Sequence, residues 1–166
     1  MKMKPWSERS AIEASLFNPA FCGELIQCAV ASYNKTVNQG GFPYALSYLV
    51  LPFLLSKDLY EALPNTSRTG MVTWLYTHRH LIAALVEKTR EMKDYTNESI
   101  LLYVSLNLLV VNDRGTLEIG MRKMTKKRSI NRTEVEQLKK RAVLIGSWFG
   151  KAGDVATIFS LIGITV

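Results

Sequence analysis

The chain has 166 residues, 48% of them hydrophobic, and a formal net charge of +7. That length buries one core without disulfide staples and is too short for two independent domains, so a single domain over 1–166 is predicted, with residues 1–15 leaving room for a flexible lead. The longest nearly apolar run, Tyr44 to Leu55, falls short of the ~20 residues that cross a bilayer. No membrane contact is expected. Trp6, Glu8 and Arg9 interrupt the stretch a signal peptide would need. Cys22 and Cys28 are six apart, which turns them away from each other on a helix. Reduced thiols in a cytoplasmic protein are the expectation.

In chain order, Asn18-Pro19 opens the first clear helix: Asn caps free amides and Pro at the first helical position loses no needed donor. Phe21, Leu25, Cys28, Ala29 and Ser32 give it an apolar face, and Gly40-Gly41 ends it. A second helix starts near Pro43, and Pro52 is predicted to kink or divide it. Leu63 to Ser67 reads as a turn, followed by helices over Gly70 to Tyr76 and His80 to Lys93.

Thr96 is predicted to cap a helix from Asn97 to about Asn107. Leu108 to Val111, the turn Asn112-Asp113-Arg114-Gly115, and Thr116 to Ile119 then read as a β-hairpin. A basic loop over 122–133 precedes a helix opened by Thr133 with Glu136, whose buried face is Val135, Leu138, Ala142, Ile145 and Phe149. Gly150 and Gly153 are expected to end it, and Asp154 to cap a last short helix over Val155 to Leu161. The fold class predicted is mostly α (α+β), a compact helical domain in which 97–121 form a helix plus a winged-helix-like β-hairpin.

Charge is the most informative feature. Between Arg122 and Arg141 stand nine basic residues against two acidic ones, so that stretch carries the whole excess and the remainder is neutral. Clustered Lys and Arg displace counterions from a phosphate backbone without reading sequence. The candidate nucleic-acid contacts are Arg122, Lys123, Lys126, Lys127, Arg128 and Arg132; a solubilising loop or a contact to an acidic protein is the competing reading. The helix before the hairpin, Glu98 to Asn107, has no Lys or Arg to read base edges. Its Leu102 and Tyr103 are candidates for the core or for a protein interface. Trp148 and Phe149 diverge by about 100°, so on a simple surface helix one of them would be left for a partner to cover.

Catalytic inventories are thin. His78 and His80 flank Arg79 in a turn between two helices, where surface or capping roles are usual, and neither they nor the cysteines make a metal set. No phosphate-binding glycine loop of either familiar kind occurs. Asp113 and Glu118, the nearest thing to a nuclease pair, sit across an exposed hairpin with no lysine beside them.

Several motifs carry a resemblance: Phe17-Asn18-Pro19-Ala20-Phe21-Cys22, Leu49-Val50-Leu51-Pro52, Leu63-Pro64 before Trp74, Arg141-Ala142 with Gly146-Ser147-Trp148-Phe149, and Ala152-Gly153 leading to Ile158-Phe159 and Gly163-Ile164. In order and spacing, from about residue 16 to 164, they resemble the middle component of bacterial three-component ABC ATPase systems. Ser56-Lys57 stands where that family has a histidine before the lysine, so no role passes to that position. The resemblance implies a non-catalytic subunit without a cofactor, placed between an SMC-like ABC ATPase and an effector subunit, often a nuclease. Such subunits serve Lamassu-type antiphage or antiplasmid defence, with DNA held within the complex. A free-standing winged-helix DNA-binding regulator is the alternative.

Overall fold

The computed structural model describes residues 4–38, 40–122 and 132–164, the side chain of Arg132 excepted. Helix α1 (Ala11–Leu16) is capped by Ser10, whose Oγ accepts the Glu13 amide. One side chain of residues 4–16 ties this segment to the rest of the chain. The Arg9 side chain is 1% exposed, donates from both terminal nitrogens to Glu98 at 2.9 Å, and lies against the rings of Trp6 and Tyr95. Burying a guanidinium is tolerated only when it is paired in this way.

Helix α2 (Pro19–Thr36) starts as expected, with Asn18 Oδ1 accepting the amides of Ala20 and Phe21. The short strand β1 (Phe42–Pro43) follows, which the sequence reading did not anticipate. Helix α3 (Ser47–Leu55) runs through Pro52 without dividing there. The chain breaks four residues later, where Ser56 turns extended, before α4 (Lys57–Ala62). After the 62–70 loop come α5 (Met71–Thr77), α6 (Ile82–Glu91) and α7 (Lys93–Ser105). Thr96 lies inside α7 rather than at its cap: it is buried, and its hydroxyl donates back to the Met92 carbonyl at 3.1 Å.

The hairpin stands where it was predicted, as β2 (Leu109–Val111) and β3 (Thr116–Ile119). Asn107, at a positive φ of 54°, turns the chain out of α7, and Asn112 Oδ1 accepts the Arg114 and Thr116 amides to shape the hairpin turn. Phe42 pairs with Leu117, making an antiparallel sheet of order β1-β3-β2. The sheet lies on α2, pinned by Gln27 donating to the Leu108 carbonyl and Asn34 to that of Leu117.

Helix α8 (Arg132–Ala152) opens at Arg132, so Thr133 is within it, and the residue before it is outside the described ones. Gly153, at φ +102°, ends it; Gly150 does not, because it is a contact point with Thr36 of α2. Asp154 caps α9 (Val155–Ile162), as expected, through the Thr157 amide at 2.7 Å. The described residues are therefore mostly helical with one small sheet, an α+β fold with one core cluster.

Two helices carry that core. Glu24 meets Lys139 at one end, Ala29 meets Gly146, and Thr36 meets Gly150, so α2 and α8 run in the same direction. Ser32 fixes the register by donating to the Val143 carbonyl at 2.7 Å. A side chain at Gly146 would run into the backbone carbonyl of Ala29, which cannot swing aside. Ala in place of Gly inside a helix normally gains up to about 1 kcal/mol. Here overpacking wins, and Gly146→Ala is expected to destabilise the chain by about 1–3 kcal/mol. Urea denaturation checks this: the midpoint should fall at unchanged slope, and a raised midpoint would show that the seam is open.

Candidate functional site

The described basic residues between Arg122 and Arg141 do not all face the same way. Lys123, Lys126, Lys127 and Arg128 lie outside the described residues, and Arg132 is placed only as the first residue of α8. Arg122 is exposed at the foot of the hairpin, where its amide donates to the Asn107 carbonyl at 3.1 Å. Lys139 faces α2 and is neutralised by Glu24 at 2.6 Å, with Glu136 further off at 3.9 Å. Its neighbours Lys140 and Arg141 face the 62–70 loop, and neither has a carboxylate within ion-pair range among the described residues.

The proposed aromatic anchors are inside the chain. Trp148 is 1% exposed and Phe149 is fully buried, because α8 is covered on more than one side and is no simple surface helix. Trp148 turns toward Phe53 and Trp74, with ring centroids 6.5 and 5.8 Å away, while Phe149 turns toward Phe42 of β1 at 6.2 Å. Tyr103 is also buried: its ring lies over Gly23 of α2 and its hydroxyl donates to the Ala20 carbonyl at 2.8 Å. Leu102 is half-buried against the core; the exposed leucine on α7 is Leu101, at 70%. The expectation that Trp148, Phe149 or Tyr103 awaits a partner is therefore corrected by their intrachain packing.

These buried side chains hold the 62–70 loop. The indole N–H of Trp74 donates to the Ala62 carbonyl and that of Trp148 to the Thr69 carbonyl, both at 2.7 Å. Between them Arg141 donates to the carbonyls of Leu63 and Pro64 and, at 2.9 Å, to Asn65 Oδ1. Leu63-Pro64, Trp74, Arg141 and Trp148, far apart in the chain, are thus parts of one clamp. Sequence reasoning saw the turn at Leu63 to Ser67 but missed what grips it, since no local pattern ties position 63 to position 141.

Other surfaces carry less. His78 is stacked on Trp74 and bonded at Nδ1 to the Trp74 carbonyl, a capping role. Glu118 accepts from Asn112 across the exposed hairpin, and Asp113 is solvated at its tip. The edge strand β2 exposes Val110 and Val111, with Ile119 and Met121 nearby in the chain. Leu75, Ile82, Val86 and Ile162 line an apolar groove of about 670 Å³ between α5, α6 and α9. No group of three or more His, Cys, Asp or Glu side chains suited to a metal occurs among the described residues, and no described helix is long and apolar enough to cross a membrane.

What these features define is a small α+β protein built on a parallel helix pair, with a clamped loop on one flank and a sheet on the other. The chain belongs to the Middle Component 3 family of ABC-three component (ABC-3C) systems, whose family model matches residues 6–166. It is therefore one component of a system that has others. No curated protein and no solved structure matches it.

Both cysteines are free thiols, and neither is placed for chemistry. Cys22 is buried, with its Sγ directed at the Leu16 carbonyl, and burial pushes its pKa up to about 12. Burial also raises that of Cys28. At pH 8 the folded chain thus holds far less Cys22 thiolate than an exposed thiol would. A thiol-reactive dye should label native Cys22 at least ~100-fold more slowly than the guanidinium-unfolded chain. Equal rates in the two states would show that this thiol is open to solvent.

Proposed function

We propose that this chain is a non-catalytic accessory subunit that links an SMC-like ABC ATPase to an effector, often a nuclease, in Lamassu-type antiphage or antiplasmid defence. The observation that supports the accessory-subunit part of this reading is the family match over residues 6–166, nearly the whole chain. It acts in the cytoplasm and needs no cofactor of its own. The sequence, which has no phosphate-binding glycine loop, supports leaving nucleotide hydrolysis to the ATPase. Its companions dock on apolar surface, for which exposed Leu101 and the β2 edge are the best-suited places. The basic segment from Arg122 through Arg132 contacts DNA without sequence preference.

The alternative, a free-standing winged-helix regulator, gains little support from the end of α7 next to the hairpin, where exposed Leu101 and Ser105 offer no cationic donor for base edges. Co-expression with the ATPase and effector separates the two. The subunit reading expects stable co-elution that survives Lys126→Glu, Lys127→Glu and Arg128→Glu together, and DNA binding by the isolated chain no tighter than about 10⁻⁶ M at physiological salt. Tight, sequence-selective binding by the isolated chain would favour the regulator. Hydrolysis of a nucleotide, or cleavage of nucleic acid, by the purified chain would end the non-catalytic reading.

A further inference from the structure

The clamp that holds the 62–70 loop leaves a cleft of about 620 Å³ between that loop and α8. Its walls mix polar side chains with Tyr60, Val143 and Leu144, and the charge they carry is of one sign. Lys140 and Arg141 come from α8, Thr66 and Ser67 from the loop, and Ser147 from the next turns of α8; no carboxylate lines it. Lys151, one turn beyond Ser147, adds a third cation by donating to Ser67 Oγ at 3.3 Å. Not one of the three cations is ion-paired among the described residues, whereas Lys139, facing the other way on the same helix, is paired with Glu24.

Arg141 is the informative member. Its three bonds to Leu63, Pro64 and Asn65 use both Nη1 hydrogens and one on Nη2, which fixes the guanidinium without neutralising it. Its Nε–H and one further N–H have no acceptor among the described residues. A held guanidinium with two spare donors, an exposed ammonium beside it and hydroxyls opposite is the donor set that a tetrahedral oxyanion satisfies. A carboxylate would use fewer of these donors, and an apolar segment would leave all of them desolvated and unpaired.

We propose that this cleft receives a phosphate group of a nucleic-acid backbone. Lys140 and Arg141 supply the charge, and the loop hydroxyls the remaining hydrogen bonds. The cleft begins about two helical turns beyond Arg132, the first residue of α8. The inference rests on the DNA contact proposed above and assigns it to different side chains, which lets the two fail separately.

The test uses the full chain and follows the salt dependence of duplex DNA binding by fluorescence anisotropy. Lys140→Ala is mild for folding, because Lys140 is exposed and unpaired. It should flatten the slope of log Kobs against log salt by roughly 0.9, one lost phosphate contact. Ser67→Asp, which sets a carboxylate in the mouth of the cleft, should weaken binding about tenfold at low salt, the factor expected from one like-charge contact at a partly screened site. If both variants bind as the unaltered chain does while Lys126→Glu with Lys127→Glu abolishes binding, the cleft assignment is wrong and the DNA reading stands. If the unaltered chain binds no DNA, amide NMR of Ser67 and Lys140 during titration with inorganic phosphate and then ATP decides the rest. Saturable shifts make the source a free phosphate compound and overturn the backbone assignment; no shifts overturn the cleft as an anion site.

Discussion

The approach of α2 to α8 sets everything else in this molecule. Their backbones come close only because Gly146 and Gly150 present no side chain to Ala29, Ser32 and Thr36. Close approach gains dispersion contacts along the seam and gives Ser32 a backbone carbonyl on the neighbouring helix. It also fixes the rotation of α8. Lys139 is aimed at Glu24, Trp148 at Trp74 and Phe53, Phe149 at Phe42, and Lys140 and Arg141 at the loop. A small change in helix separation would therefore disturb the charge pattern as well as the core.

What could be read beforehand was what is local. The Asn18 cap, the Asp154 cap and the hairpin turn at Asn112 to Gly115 each depend on a few consecutive residues whose side chains bond nearby amides. Pairings across long separations could not be read. Strand β1 has two residues and exists because β3, over seventy positions later, offers it a ladder. Arg9 lies in a stretch with no periodicity, yet it is buried because Glu98 is there to receive it. Thr96 resembled a cap since capping residues also occur inside helices, where a hydroxyl can bond the carbonyl four residues back.

The candidate site shows the same division. Basic composition between Arg122 and Arg141 was plain in the sequence, but the described part of it on α8 is turned to different faces, Lys139 against Glu24 and Lys140 and Arg141 toward the loop. Adjacent Trp148 and Phe149 suggested a surface awaiting cover, under the assumption of one buried face. A helix flanked by another helix, a strand and a loop has more than one such face, and both rings fit inside.

The three tryptophans occupy very different environments. Trp6 is half exposed near the start of the chain, while Trp74 and Trp148 lie edge to face with Phe53, each indole bonded to one end of the same loop. Native emission thus combines one solvent-relaxed fluorophore with two in an apolar setting. Release of the loop would redden the pair together while leaving Trp6 unchanged, so the molecule carries its own optical gauge of whether that flank of α8 is latched.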